Sequence, residues 1–265
     1  VTLKNRIVST GHETMMAEDT SPSAMTAAYH RARAAGGVGL VITEVAGIHS
    51  SSRYTPRMIM ATSDDCIPGF RSISDACHEH GCTVFGQLFH PGREIFPKSE
   101  DGSALVAYSA SATPNERFHV MPRAMPTSLI AEIVSGFADG AERLQQAGFD
   151  GVEIVGSHGY LIAQFFNERV NQRDDEYGGS RDNRLRLVRE VIAAVRARVG
   201  DMVIGLRISA DELNPDGLRT DEVVEICRAL DADGEIDYFS VVMGASTTLG
   251  SAVHIVPPTE IEHSQ

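Results

Sequence analysis

The sequence predicts an α/β fold, and within that class a (β/α)8 TIM barrel of which this chain holds about six βα units. Short apolar runs rich in Val and Ile alternate one for one with longer segments of helical period, a pattern typical of a parallel sheet covered by helices. Polar residues gather directly after the predicted strands, and in a barrel these positions meet at one mouth. An open doubly wound sheet is the alternative, but no GxGxxG follows the first strand, which argues against the dinucleotide-binding form of that sheet.

The first elements follow from apolar runs and from residues that start or stop helices. The run IVST at 7–10 predicts the first strand. A helix at 22–35 comes next, because Pro22 suits its first turn and a Gly-Gly pair follows its end. The run VGLVIT at 38–43 is continuous and β-branched, as expected of a strand that is buried on both faces.

The middle of the chain predicts a third unit that is interrupted by a long excursion. A helix at 68–80 stops before a glycine, and TVFGQL at 83–88 predicts the next strand. A further helix at about 128–147 also ends at a glycine. The intervening residues 89–126 are rich in proline, and we expect them to form a lid or a substrate-capping loop.

The second half continues the alternation. GVEIV at 151–155, MVIGLRIS at 202–209 and DYFSVVM at 237–243 predict three more strands. The segment 181–200 is amphipathic and has a glycine stop, and 220–234 begins with a threonine that is a good N-cap. Both predict helices that follow their strands.

The charge and the cysteines limit the partners and the location. The chain has 36 acidic and 23 basic residues and a net charge of -13, which argues against nucleic acid or an anionic membrane as a main partner. No run of 18 apolar residues predicts a membrane span, and the N-terminus has no apolar signal core. The four cysteines have no CxxC spacing. We therefore expect reduced, partly buried thiols in a cytoplasmic protein with a small-molecule substrate.

Four segments occur together in one order: LKNRIV (3–8), FGQLFHPGRE (85–94), GFDGVEIVGSHGYLIAQFFNERVNQRDDEYGGSRDNRLRL (148–187) and GLRIS (205–209). Together they resemble the old yellow enzyme family of FMN-dependent NADH:flavin oxidoreductases, most closely the branch of 2,4-dienoyl-CoA reductase and trimethylamine dehydrogenase. The third segment is the most specific of the four. The resemblance implies a TIM barrel that holds FMN at its mouth and takes its electrons from NAD(P)H.

Gln87 and Arg207 are polar residues in otherwise apolar strands. The resemblance implies that Gln87 hydrogen-bonds the pyrimidine edge of the flavin, which an amide suits because it offers both a donor and an acceptor. It implies that Arg207 lies against flavin N1 and C2=O, where a fixed positive charge stabilises the anionic reduced flavin. The alternatives are a polar strand end for Gln87 and a structural ion pair for Arg207.

Thr10, Gly11 and His12, after the first strand, are similar to the family segment that lies under the isoalloxazine ring. Gly11 would allow close approach of the backbone to the ring. Glu44, after the second strand, matches a cofactor-binding position that acts mostly through its backbone groups. A solvated carboxylate is the alternative for its side chain.

His158 and Tyr160 are the predicted catalytic residues. The resemblance implies that His158 hydrogen-bonds the substrate carbonyl or the nicotinamide amide, and that Tyr160 donates a proton in ene reduction. On an extended segment, residues two apart project to the same side. We therefore expect both side chains to face the flavin. A polar loop histidine and a tyrosine packed at the barrel mouth are the alternatives.

Two residues depart from the family pattern. Val155 stands where classical members carry another histidine, so that carbonyl anchoring is halved or achieved differently. Glu13 stands where trimethylamine dehydrogenase attaches its flavin through a cysteine. That covalent route is excluded here, so the expected FMN is non-covalent.

These observations predict an FMN-dependent oxidoreductase that passes hydride from NAD(P)H through the flavin to an activated alkene, such as an enone or an enoyl thioester. An alternative of the same class oxidises an N-methyl amine, and water then demethylates the iminium. Residues 244–265 predict no seventh or eighth strand, so we expect 1–265 to be an incomplete FMN-binding barrel domain. A homo-oligomer is one option for its assembly. A truncated barrel without cofactor or activity is the alternative of another class. A metal-dependent hydrolase is disfavoured because no HxH follows the first strand, and no metal site is expected.

Overall fold

A parallel sheet is the framework on which the polar side chains are placed. The computed structural model describes residues 1–53, 55–96 and 105–252. Its strands are β1 (Val8–Ser9), β2 (Leu40–Gly47), β3 (Ile59–Met60), β4 (Thr83–Phe89), β5 (Tyr108–Ser109), β6 (Arg123–Ala124), β7 (Gly151–Gly156), β8 (Val203–Ser209) and β9 (Tyr238–Val242). The six predicted strands are confirmed, whereas the two-residue strands β3, β5 and β6 were not predicted. Strands this short carry too few residues to show a periodicity.

The helices cover the sheet in alternation with its strands. They are α1 (Ala24–Ala35), α2 (Ile67–His78), α3 (Thr127–Gln146), α4 (Leu161–Phe166), α5 (Arg181–Val199), α6 (Thr220–Asp233) and α7 (Leu249–Ala252). The five predicted helices are confirmed. Among the remaining two, α4 was missed because LIAQFF is a short run that is apolar at five of its six positions, so it shows no helical period.

The order of the strands distinguishes a barrel from a doubly wound sheet. Over the described residues the main sheet runs β1-β2-β4-β7-β8-β9, with β3 paired to β2, and all of its pairings are parallel. The order never reverses along the chain, whereas a doubly wound sheet has a reversal point. The fold is therefore that of a (β/α)8 barrel, represented here by six βα units. Residues 244–252 contain α7, and the remaining part of the predicted strand-free segment, 253–265, lies outside the described residues.

Alternation along the strands separates an outer apolar face from an inner face that carries the polar groups. On β4, Val84 and Leu88 belong to the large core cluster that also contains the buried faces of the helices. Between them, Gln87 lies on the opposite face, as the period of two requires. Truncating a fully buried core side chain such as Phe137 to Ala costs about 3–5 kcal/mol. This core fixes the positions of the inward-facing residues.

The long excursion after β4 contains regular structure. Strands β5 and β6 pair in parallel within it, through Tyr108 with Arg123 and Ser109 with Ala124. Residues 97–104 of the predicted lid lie outside the described part. Cys66, Cys77 and Cys82 are buried and free, and Cys227 is half-buried and free; their reduced state stays a prediction. None of the described helices is long and apolar enough to cross a membrane.

Candidate active site

One cavity of about 450 Å³ lies beside the carboxyl ends of the parallel strands. Its volume is in the range of about 300–1,000 Å³ that is usual for small-molecule sites. Seven of the predicted site residues line it: Thr10, Gly11, His12, Gln87, His158, Tyr160 and Arg207. The lining also includes Val45, Phe89, Arg117 and Ser246, which were not predicted, and the two departure residues Glu13 and Val155. The structure therefore brings together residues from four strands (β2, β4, β7 and β8) and from the segments that follow β1, β4, β7 and β9.

A buried carboxylate, Glu153, organises the polar floor of this cavity. Gln87 Nε2 donates to Glu153 Oε1 over 2.6 Å, and Arg207 Nη1 lies 3.8 Å from the same oxygen. Tyr238 Oη donates to Glu153 Oε2 over 2.9 Å. Glu153 is 0% exposed, and its neighbours supply the donors that a buried carboxylate requires. Its signal in the sequence is a carboxylate in the middle of the apolar run GVEIV, and it was not among the predicted site residues.

Strand register explains why these groups meet. Gln87 is paired with Glu153 between β4 and β7, and Arg207 is paired with Ser240 between β8 and β9. Arg207 Nη1 donates to Ser240 Oγ over 3.0 Å. Burial and the charge of Glu153 raise the pKa of Tyr238 well above its usual range, so this phenol stays a hydrogen-bond donor. Arg207 therefore both pairs with Glu153, as the ion-pair alternative predicted, and lines the cavity.

Gly11 is a close-packing point of the cavity wall. A Cβ built there would lie 2.6 Å from Gln87 Cδ and 2.6 Å from the Thr43 carbonyl oxygen. Both distances are far below van der Waals contact. The residue is therefore restricted to glycine by the Gln87 carboxamide and the Thr43 carbonyl, two contacts that the sequence did not predict.

His158 enters the cavity through an unusual backbone conformation. Its φ is +58° and that of Gly159 is +73°, so the expectation of an extended segment is wrong at this point. The left-handed turn is held by hydrogen bonds, because His158 N–H donates to Ser209 Oγ over 2.9 Å and Ser246 N–H donates to the His158 carbonyl over 2.8 Å. His158 and Tyr160 nevertheless line the same cavity, with ring centroids 6.0 Å apart.

The His158 imidazole is neutral at ordinary pH. Burial, with a smaller contribution from the Arg207 charge, lowers its pKa to about 3. Ser157 Oγ lies 3.0 Å from Nδ1. When Ser157 donates to Nδ1, the ring proton is on Nε2, which makes no hydrogen bond to the described residues. Nε2–H is then the donor available to a ligand.

Tyr160 is the N-cap residue of α4, where the chain turns from the site into the helix. Its ring packs edge-on against Phe89 with centroids 4.6 Å apart. Val155 lies in the same small apolar cluster as Phe89. Tyr160 is therefore held by apolar contacts. They lie beside Val155, the position where the resemblance implies a second polar group.

Glu13 lines the cavity, whereas Glu44 does not. Glu44 is buried, accepts hydrogen bonds from Thr14 N–H (2.9 Å) and Thr14 Oγ1 (2.6 Å), and is not among the residues that line the cavity. Its contact with a cofactor stays a prediction. Glu13 lines the cavity, accepts a hydrogen bond from Thr55 Oγ1, and has a pKa that is raised by burial.

The donors and acceptors at the floor suit a flavin ring. Arg207 is 9% exposed, and its Nε and Nη2 make no hydrogen bond to the described part of the chain. Gln87 Nε2 donates one amide proton to Glu153, and Gln87 Oε1 lies beside Gly11, which also lines the cavity. A buried cation with unused donors beside a buried amide oxygen matches the acceptor and donor groups of a flavin pyrimidine edge.

A second, polar cavity of about 200 Å³ reaches Gly159, between the two predicted catalytic residues. Arg93 and Glu212 line it, and Glu94 lies 3.7 Å from Arg93 Nε through Oε1. Burial raises the pKa of both carboxyls to about 7. One oxygen of each carboxyl is buried and makes no hydrogen bond to the described residues, which buried water usually relieves. Across the described ranges, no group of three or more His, Cys, Asp or Glu side chains is arranged to hold a metal ion.

Comparison with known proteins gives a consistent result. A sequence model of the NADH:flavin oxidoreductase / NADH oxidase family matches residues 1–254. The chain is 36% identical over 262 residues to the N,N-dimethylglycine/sarcosine dehydrogenase of Chromohalobacter salexigens. The alignment covers 97% of this chain and 37% of that protein. It is 34% identical over 261 residues to the multifunctional alkene reductase/demethylase OYE of Caballeronia cordobensis. That alignment covers 96% of this chain and 37% of that protein. The chain therefore spans little more than a third of the length of these relatives.

A solved structure gives the same fold. The old yellow enzyme homologue from Zymomonas mobilis superposes with a TM-score of 0.83 at 26% identity, covering 94% of this chain and 72% of that one. The predicted barrel is confirmed by this agreement and by the strand order described above.

Proposed function

The chain belongs to the NADH:flavin oxidoreductase / NADH oxidase family, and from that premise we propose that it binds FMN non-covalently and transfers hydride from NAD(P)H to an activated alkene. The observation that carries the proposal is the cluster of Gln87, Glu153 and Arg207 at the floor of a cavity that also contains His158 and Tyr160. The closest branch within the family stays a prediction. So do an FMN-binding domain over 1–265, a cytoplasmic location and a homo-oligomer.

The residues at the floor would hold and tune the cofactor. Bound FMN would accept hydride from a nicotinamide and deliver it to a substrate carbon. Arg207 would place positive charge against the ring, and Gln87 would hydrogen-bond the edge of the ring through Oε1. Glu153 acts on both of them, because it fixes the Gln87 amide and partly compensates the Arg207 charge.

His158 would orient the substrate. A neutral imidazole with its proton on Nε2 donates a hydrogen bond to a carbonyl oxygen and draws electron density from the conjugated alkene. Because Val155 cannot donate a hydrogen bond, the proposal assigns polarisation of the carbonyl to His158. Its left-handed backbone is anchored on both sides, so the ring has little freedom to move.

Tyr160 would supply the proton. Hydride addition at the β-carbon leaves a carbanion-like α-carbon, and the Tyr160 hydroxyl proton would be transferred to that carbon. The ring packing against Phe89 holds the phenol at the wall of the cavity. Phe89 and Val155 also keep this part of the wall apolar, which limits water near the reacting carbons.

A second candidate is the oxidation of an N-methyl amine, followed by loss of the methyl group through hydrolysis of the iminium. It is favoured by the dehydrogenase relative, whose name specifies N-methylated glycines, and by the relative named for both alkene reduction and demethylation. In this direction the methyl C–H would give up the hydride, and bound FMN would supply the acceptor. The floor residues would have the same roles in both directions.

Anaerobic reduction of the FMN-loaded protein separates these possibilities. The flavin absorbance is followed after addition of NADH, NADPH or an N-methyl amine, and then after addition of an enone. Bleaching by a reduced nicotinamide and recovery with the enone supports alkene reduction. Bleaching by the amine with release of formaldehyde supports the second candidate. Bound FMN that none of the three reduces would contradict both.

A further inference from the structure

The long excursion presents one arginine to the active-site cavity. Arg117 lies in a tight turn at 115–120, which is closed by a hydrogen bond from Asn115 N–H to the Val120 carbonyl (2.8 Å) and by another from Phe118 N–H to Asn115 Oδ1 (2.9 Å). Phe118 is buried in an apolar cluster, and the Arg117 guanidinium lies 4.9 Å from its ring centre. The turn is therefore anchored, and Arg117 is a fixed feature of the wall.

The guanidinium is tied to the catalytic segment. Arg117 Nη1 donates to the Ser246 carbonyl (3.0 Å) and to Ser246 Oγ (3.1 Å). The Ser246 N–H in turn donates to the His158 carbonyl (2.8 Å). Arg117, Ser246 and His158 all line the same cavity. These bonds use one nitrogen of the guanidinium and leave Nε and Nη2 without a hydrogen bond to any residue of the described ranges.

Arg117 also differs in its charge environment from the other arginines of the two cavities. Arg207 lies 3.8 Å from Glu153, and Arg93 lies 3.7 Å from Glu94. No carboxylate of the described chain lies within 4.0 Å of the Arg117 guanidinium, although the protein has 36 acidic residues. A half-buried guanidinium with no counter-charge in an acidic protein is suited to an anionic ligand.

We propose that Arg117 binds a carboxylate of the substrate, so that the enzyme acts on small carboxylic acids; this inference rests on the proposed function of the same cavity. The planar fork of a guanidinium with two unused nitrogens pairs with both oxygens of a carboxylate. The substrate would then be held at two points, the carboxylate by Arg117 and the reacting part beside His158 and Tyr160. An unsaturated acid and an N-methyl amino acid both carry the required group.

The test compares each carboxylate with its uncharged amide. The two pairs are fumarate with fumaramide and N-methylalanine with N-methylalaninamide. Each ligand is titrated calorimetrically into the parent chain and into the Arg117→Lys and Arg117→Met variants. Every titration is done with and without FMN. We expect one carboxylate to bind the parent about 10- to 100-fold more tightly than its amide. The preference should be reduced in Arg117→Lys and lost in Arg117→Met. The pair that shows it identifies the substrate class.

Two results would overturn the inference. One is a parent that does not prefer either carboxylate, and the other is a preference that survives in Arg117→Met. A change of fold is excluded if Arg117→Met retains the thermal melting and FMN affinity of the parent. If FMN does not bind while the Arg117-dependent preference persists in the flavin-free chain, the redox proposal fails and the carboxylate site stands.

Discussion

The side-chain amide of Gln87 donates a 2.6 Å hydrogen bond to Glu153, a carboxylate that is 0% exposed and lies 3.8 Å from Arg207. Glu153 thereby sets both the orientation of the amide and the net charge of the cavity floor. The two residues proposed to contact the flavin share one buried partner, and their properties are coupled through it.

Replacing Glu153 with Gln should raise the midpoint potential of bound FMN. The substitution keeps the shape and can still accept a hydrogen bond from Gln87, but it removes the charge that offsets Arg207. The uncompensated guanidinium then stabilises reduced flavin more strongly, by on the order of tens of millivolts. Dye-coupled reduction measures the potential. Tyr238→Phe is the control, because it removes the other Glu153 hydrogen bond without changing charge, and an equal shift in both variants would contradict the electrostatic explanation.

Gly11→Ala should weaken FMN binding by displacing Gln87. The new methyl group would lie 2.6 Å from Gln87 Cδ, so the carboxamide or the Gly11 backbone has to move. We expect the dissociation constant of FMN to rise about 10-fold, which corresponds to loss of one good hydrogen bond. Fluorescence quenching of FMN measures it. In a Gln87→Ser background the clash with the Thr43 carbonyl remains but the clash with the carboxamide is removed. The same change should therefore have a smaller effect there, and full additivity would show that the methyl group does not act through Gln87.

The contribution of His158 to catalysis should not depend on pH between 5 and 8. Its pKa is lowered to about 3, so the ring stays neutral over that range. The ratio of kcat/KM between the parent and His158→Asn, measured with an enone, should therefore be constant. A ratio that changes with a midpoint near 6.5, the ordinary value for histidine, would show that the ring titrates and would contradict the described environment.

Glu212→Gln should stabilise the protein more at pH 8 than at pH 5. The pKa of Glu212 is raised from 4.5 to about 7, so the folded state binds a proton that the unfolded state has already lost. This contribution to stability is present below pH 4.5 and is lost as pH rises through 7. The variant avoids a loss of up to about 3 kcal/mol. Thermal melting at the two pH values measures it, with the exposed Glu79→Gln as control. A melting difference that is the same at both pH values would contradict the raised pKa.

The framework of the protein could be predicted because its signals are local. On β4, Val84 and Leu88 face the core and alternate with residues that face the inside of the barrel. Similar short apolar runs recur along the chain, with helical segments between them. Gln87 and Arg207 were detectable since each interrupts such a run. Glu153 interrupts GVEIV in the same way, but its partners come from three other strands, and only the register of the sheet brings them together.

Other parts of the site depend on tertiary contacts that no local pattern carries. The left-handed backbone of His158 follows from its hydrogen bonds to Ser209 and Ser246, which are distant in sequence. Arg117 lies in a segment without helical or strand period, and its position depends on the turn at 115–120. Glu94 and Glu212 come from different βα units, so their shared burial could not be read from either segment alone.

The most direct test of the account is the affinity of the purified chain for FMN, measured beside Arg207→Ala. The account predicts that the parent retains a flavin spectrum through desalting, and that the variant binds at least about 10-fold more weakly because one charged donor is lost. Equal affinities would contradict the assignment of Arg207. A parent that takes up no FMN would contradict the central claim that this cavity is a flavin site.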